Sequence, residues 1–141
     1  MNPESCRASV RRLVQEGQER GDPAVVDELL APDFVDHRPL PGLSPDRAGV
    51  KALFAGLHAA FPDLRVTIED QVVEPDGVAT RKTFRGTHLG PFLGVPATGR
   101  AVVFEVIDIL RFREGRISDH WVVVDRLDLL GQLGVLPPGL G

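Results

Sequence analysis

Cys6, Val10, Leu13, Val14 and Gly17 recur at the spacing of one helical face, and Val25, Val26, Leu29 and Leu30 do so again after Asp22-Pro23. The chain is therefore expected to open with two amphipathic helices. Asp22 suits an N-cap and Pro23 the first helical position, where a missing N–H sacrifices no hydrogen bond. From Ala31 to Ser44 the prolines at Pro32, Pro39 and Pro41 break any period, which predicts a loop through Phe34-Val35-Asp36-His37-Arg38-Pro39. A third helix follows, capped at Ser44-Pro45 and stopped by Pro62, with Val50, Leu53, Phe54, Leu57 and Phe61 on one stripe and His58 at its edge.

Beyond Pro62 the period changes. Leu64 to Glu74, Val78 to His88, Arg100 to Arg113 and Arg116 to Asp125 are rich in Val, Ile, Thr and Phe, the composition of strands. Asp76-Gly77 and Glu114-Gly115 are tight-turn signals between neighbouring strands. A Gly- and Pro-rich connection, Leu89 to Gly99, separates the second strand from the third. A short helix from Arg126 to Leu133 ends at Gly134, and the tail Val135-Leu136-Pro137-Pro138-Gly139 cannot extend it. Helices first and strands afterwards predict one α+β domain over residues 1–141, in which a curved, mostly antiparallel four-stranded sheet wraps around the helices and encloses a pocket. The third strand is apolar on both sides, with Val102, Phe104, Val106 and Leu110 on one and Val103, Ile107 and Ile109 on the other. Helices cover one side; the expected cover for the other is a second subunit, making a homodimer through the sheet.

Composition narrows the chemistry. With 16 Lys and Arg against 20 Asp and Glu, no basic excess is available for a phosphate backbone, so nucleic acid is not an expected partner. Cys6 is the only cysteine, which leaves neither a disulfide framework nor a cysteine-based zinc site. The first twenty residues are charged and helix-patterned rather than signal-like, and no run has the length of a membrane span. A cytoplasmic protein without membrane partners is the expectation. The four histidines show no tight metal spacing, so no metal is expected. The glycines from Gly86 to Gly99 are not followed by Gly-Lys-Ser or Gly-Lys-Thr, so they read as a turn-rich connection rather than a phosphate loop. Tyrosine is absent and Asn2 is the sole asparagine.

Several pieces occur together and in order: Phe34-Val35-Asp36-His37, Ala60-Phe61-Pro62-Asp63-Leu64, Gly86-Thr87-His88-Leu89-Gly90, Pro96-Ala97-Thr98-Gly99-Arg100, and Asp119-His120-Trp121 followed by Asp125 and Gln132-Leu133-Gly134. In these the chain resembles the SnoaL-like polyketide cyclases, also called ester cyclases, from about Phe34 to Gly134. The resemblance implies a nuclear-transport-factor-like cone and a cofactor-independent intramolecular aldol condensation that closes a ring on a polyketide ester. It places the acid-base aspartate at Asp125 and a pocket histidine at His37. A second pocket histidine of the family falls at Arg111 here, a departure that bears on the substrate.

The residues themselves leave two readings open for Asp125. Period-two alternation puts it on the side of Ile117, Asp119, Trp121 and Val123, where it would look into the pocket as a general base of raised pKa. Its place directly before Arg126-Leu127-Asp128 equally suits a helix N-cap. His37 reads as a solvated loop residue or a pocket proton relay; His88 as a pocket wall or a hydrogen-bonded structural histidine. Trp121 shares the parity of Asp125 and is an expected apolar wall with Phe61, while Arg111 is expected at the substrate or paired with Glu105. His58 reads as a satisfied core histidine at the pocket margin. His120 has the opposite parity, so a structural or interface role is expected unless a bulge intervenes.

Alternatives within the same architecture remain. Ketosteroid isomerase chemistry needs a tyrosine in its oxyanion hole beside a protonated aspartate, and this chain has no tyrosine. Another cyclisation such as a cycloaddition, a hydroxylation, and a non-catalytic small-molecule-binding module all stay open, because fold alone does not fix function.

Overall fold

The computed structural model describes residues 2–136 and Gly139; Pro137 and Pro138 of the expected tail lie outside the described residues. Helix α1, Pro3–Arg12, starts where the Asn2 side chain accepts a hydrogen bond from the Ser5 amide at 2.8 Å. It continues into a π-helical stretch, Leu13–Glu19. Close packing makes Gly17 necessary there, since a Cβ at that position would stand 2.5 Å from the Phe54 ring. Helix α2 is Ala24–Leu29, capped by Pro23, while Asp22 takes the Ala24 amide at 2.9 Å. The cap thus falls one residue later than expected. Helix α3 is Arg47–Ala60, and its cap is Asp46 rather than Ser44: Asp46 accepts from the Gly49 amide, and the Ser44 hydroxyl donates to it at 2.7 Å.

Five strands follow or interleave: β1, Leu30–Asp36; β2, Arg65–Glu74; β3, Gly77–Thr87; β4, Ala101–Arg113; and β5, Arg116–Val124; helix α4 is Arg126–Gln132. They form one sheet in the order β1-β5-β4-β3-β2. The architecture is the expected α+β one, with five strands in place of four. The segment read as a loop contributes β1, which lies parallel to β5 at the sheet edge. An edge strand tolerates Pro32 because its missing N–H faces no neighbour. Leu30, Ala31, Phe34 and Asp36 point inward.

On β4 the residues Val102, Phe104, Val106, Asp108, Leu110 and Phe112 are buried, and the alternate ones face out. The inner face packs against α1, the π-helical stretch and α3, closing a core that includes Val10, Leu13, Phe54, Leu57 and Phe61. The opposite face exposes Val103, Ile107, Ile109, Trp121 and Val123.

The register between β4 and β5 carries the decisive irregularity. Leu110 pairs with His120 and Arg111 with Asp119, but Phe112 pairs with Ile117. Ser118 is the extra residue of a β-bulge, which reverses the alternation on one side of it. Ile117 is fully buried, and beyond the bulge it is His120, Val122 and Val124 that turn inward and line the interior. Trp121 and Val123 face outward, as does Asp125. The shared parity of Ile117 and Asp125 therefore does not survive.

Candidate functional site: a buried ionic cluster in a hollow cone

Inside the cone, four charged side chains meet from four strands. Asp36 ends β1, Lys82 stands in the middle of β3, Asp108 in β4 and His120 in β5. Parallel pairing sets Asp36 directly beside His120, and Nδ1 of His120 lies 3.1 Å from Asp36 Oδ1. Lys82 Nζ donates to Asp108 Oδ2 at 2.6 Å and to Gln18 Oε1, from the π-helical stretch, at 3.4 Å. The Nε2 of His120 is 3.8 Å from the same Asp108 oxygen, too far for a hydrogen bond but close for an ionic contact. Lys82 and Asp108 are nearly inaccessible, with side-chain exposures of 2% and 4%; His120, at 16%, is the most open of the four.

The cluster sits at the junction of two hollows. The outer one is walled by Leu40, Leu53, Phe84, Phe92, Phe104 and Val122. Arg38 and Arg126 stand at its lining as well. The inner one, lined by Leu13, Val14, Leu30, Phe34, Leu110 and Ile117, shares Gln18, Asp36, Lys82, Asp108 and His120 with the first.

Charge within the cluster is balanced when His120 is protonated. Burial raises both carboxyl groups, yet the cations outweigh it: the His120 bond holds Asp36, and the charge of Lys82 together with His120 holds Asp108, below the ordinary carboxylate value. Burial likewise works against a charged imidazole, but Asp108 and Asp36 overcome it and raise His120 above the ordinary 6.5. Because Asp36 is an ionised acceptor, Nδ1 of His120 carries the proton, and Nε2 makes no hydrogen bond among the described residues. That nitrogen is the one available to a ligand. Asp108 Oδ1 is also buried with no partner among the described residues.

The seven residues expected at the site lie outside this cluster. Asp125 is exposed and caps α4, accepting from the Asp128 amide at 3.2 Å; of its two readings, the cap is the one the structure brings about. His37 lies on the outer face, stacked on Trp121 with ring centroids 4.2 Å apart and Nε2 2.9 Å from Asp119. Arg111 is on that face too and pairs with Glu74 and Asp76 rather than Glu105. His88 is buried, with Nδ1 held by the hydroxyl and amide of Thr98. Phe61 is a core residue that touches the hollow only through Phe92 and Phe104, which it backs at 5.3 and 6.2 Å. His58 bonds the Gln18 carbonyl at 3.1 Å, fixing the π-helical stretch from behind. For Trp121 and Asp125 the cause is the Ser118 bulge, which sends them to the outer face and His120 to the inner one.

Asp36, Lys82, Asp108 and Gln18 were not singled out by the sequence; His120 was, with a structural or interface role expected unless a bulge intervened, and the bulge at Ser118 turns it inward. Two of the other four did leave a signal. Asp108 interrupts the apolar register of Val102, Phe104, Val106 and Leu110, and Lys82 shares that of Val78 and Phe84; a charge in an inward register is costly unless paired. Among the described residues no group of His, Cys, Asp or Glu is arranged to hold a metal ion, and no helix is long and apolar enough to cross a membrane.

This cone, with an ionisable cluster at the base of an apolar hollow, is the architecture of a small-molecule enzyme. The chain matches the SnoaL-like polyketide cyclases over residues 8–133 and belongs to that family. It is 32% identical over 115 residues to the aklanonic acid methyl ester cyclase DauD of Streptomyces sp. (strain C5), covering 78% of this chain and 67% of that one. It is 29% identical over 112 residues to the nogalonic acid methyl ester cyclase of Streptomyces nogalater, covering 77% and 83%. The structure of TsrD from Streptomyces laurentii superposes with a TM-score of 0.82 at 35% identity, covering 92% of this chain and 98% of that one. The chain is accordingly an enzyme of the polyketide cyclase type.

Proposed function

We propose that the chain closes a carbocycle on a polyketide ester by intramolecular aldol condensation, without a cofactor, and that His120 carries the proton. The observation behind this is the position of His120: it lines the hollow, its Nδ1 is engaged by Asp36, and its Nε2, 3.8 Å from Asp108 Oδ2, makes no hydrogen bond among the described residues. Neutral His120 takes a proton from the carbon between two carbonyls. The resulting imidazolium sits beside Asp36 and Asp108, which stabilise it. As the carbon–carbon bond forms, the same nitrogen returns the proton to the new alkoxide, so the cycle ends as it began. General acid-base work of this kind contributes about a hundred- to ten-thousand-fold, and the apolar walls add to it by holding a flexible chain folded.

The two related cyclases are named for methyl esters of aklanonic and nogalonic acid, which supports a polycyclic aromatic ester as substrate class. Incubation with aklanonic acid methyl ester tests the reading. The expected product is a ring-closed isomer of unchanged mass; recovery of unreacted ester, or a product with one added oxygen atom, contradicts it. The exposed apolar strip of Val103, Ile107, Ile109, Trp121 and Val123 supports a homodimer that buries this face. A cytoplasmic location accords with the chain's lack of an apolar spanning helix among the described residues.

A further inference from the structure

Lys82 belongs to the buried cluster but takes no part in the proton shuttle proposed for His120. A lysine in the middle of a central strand, 2% exposed at its side chain, is held there by Asp108. An ammonium has three donors. Asp108 Oδ2 takes one at 2.6 Å and Gln18 Oε1 another at 3.4 Å; the third has no hydrogen-bond partner among the described residues. Lys82 lines both hollows, and its Nζ lies 5.6 Å from the centre of the Phe84 ring, itself a wall of the outer hollow. It shares the Asp108 oxygen with His120, and both side chains line the same two hollows.

We infer that Lys82 is a catalytic residue whose remaining N–H receives the enolate oxygen formed when His120 takes the carbon-bound proton. The step balances. The C–H bond breaks, its proton goes to Nε2 of His120, its electron pair moves onto the neighbouring carbonyl oxygen, and Lys82 donates a hydrogen bond to that oxygen without giving up its proton. When the enolate carbon attacks the second carbonyl, the charge leaves the first oxygen and Lys82 releases it. Asp108 and Gln18 fix the ammonium beforehand, so it need not reorganise as charge develops, which is the condition under which such a donor is worth most. Asp108 is then a positioning residue that serves both nitrogens.

The inference rests on the acid-base reading of the cavity but is tested separately from it with 4-nitrophenol, whose coloured phenolate mimics a planar enolate. In the wild-type protein the bound probe is expected to ionise at lower pH than the free probe. In Lys82→Met this shift is lost, and kcat on the ester falls about a hundred- to a thousand-fold with KM little changed. Should Lys82→Met not fold, Lys82→Met/Asp108→Leu replaces the ion pair by apolar groups, and the probe shift is again expected to vanish. Persistence of the shift in either variant overturns the inference, as does wild-type kcat in Lys82→Met or a covalent Lys82–substrate adduct trapped by borohydride. If the cyclase reading itself fails, the ester is not turned over while the probe still reports on Lys82.

Discussion

Asp36 and His120 stand side by side across the parallel pairing of β1 and β5, with Oδ1 of the first 3.1 Å from Nδ1 of the second. Both flanking carboxylates act on one imidazole: Asp36 by a hydrogen bond that fixes the tautomer, Asp108 by an ionic contact on the opposite nitrogen. Together they hold the ring charged at higher pH than an isolated histidine.

That relationship sets the pH dependence of turnover. Only neutral His120 accepts a proton, so kcat/KM should rise with pH through an acid limb above the ordinary histidine value of 6.5. Asp36→Asn removes one of the charges that raise it, and the limb should move to lower pH. A pH series of kcat/KM for both proteins measures this; an unmoved limb would detach Asp36 from the titrating group.

Folding stability should show the same groups with the sign worked out. His120 is raised on folding, so its contribution is complete below about pH 6.5 and is lost as pH climbs through its folded value. Asp36 and Asp108 are lowered, so theirs is present above about 3.8 and is lost as pH falls through their folded values. Urea melts across pH 4 to 9, a span of about five units around those values, should give a maximum between the two regions. His120→Gln should flatten the alkaline side; an unchanged slope there would mean that the imidazole is not held charged.

The strands from β2 to β5 and all four helices were legible because their apolar periods extend over many residues and their turns carry Gly beside Asp or Glu. Two features were not. Strand β1 is an edge strand broken by Pro32, with too few alternations for its period to stand out from a loop. The bulge at Ser118 inserts one residue without any glycine to mark it, and one residue is enough to send every later side chain to the other face. Candidates chosen by parity with Ile117 therefore gathered on the outer face: Trp121 and Asp125 directly, and His37 with them through its stacking on Trp121. Asp36 was hidden in the missed strand, while His120 faces inward through the very bulge on which its sequence reading was conditional.

The ion pair of Lys82 and Asp108 should behave asymmetrically under mutation. Lys82→Met alone leaves a buried carboxylate without its cation and should cost about 3–5 kcal/mol. The double change Lys82→Met/Asp108→Leu should recover most of that loss, because apolar groups replace both charges. Chemical denaturation of the two variants decides it; equal destabilisation by both would show that the pair is not held by mutual compensation.

On the outer face, Val123 is 69% exposed among Ile107, Ile109 and Trp121. Val123→Glu should place charge in the middle of the proposed subunit contact and yield a monomer with an intact fold. Analytical ultracentrifugation of both proteins reads this directly. A wild-type monomer, or a variant that stays dimeric, would assign the apolar strip to something else.

The most direct test of the account compares His120→Gln with Asp125→Asn in turnover of aklanonic acid methyl ester, each checked for native folding. His120→Gln should lose about a hundred- to ten-thousand-fold in kcat/KM together with the acid limb, whereas Asp125→Asn, a substitution that preserves an N-cap, should turn over like the wild type. Near-wild-type turnover in His120→Gln, with activity lost instead in Asp125→Asn, would contradict the assignment of the proton shuttle to the buried cluster.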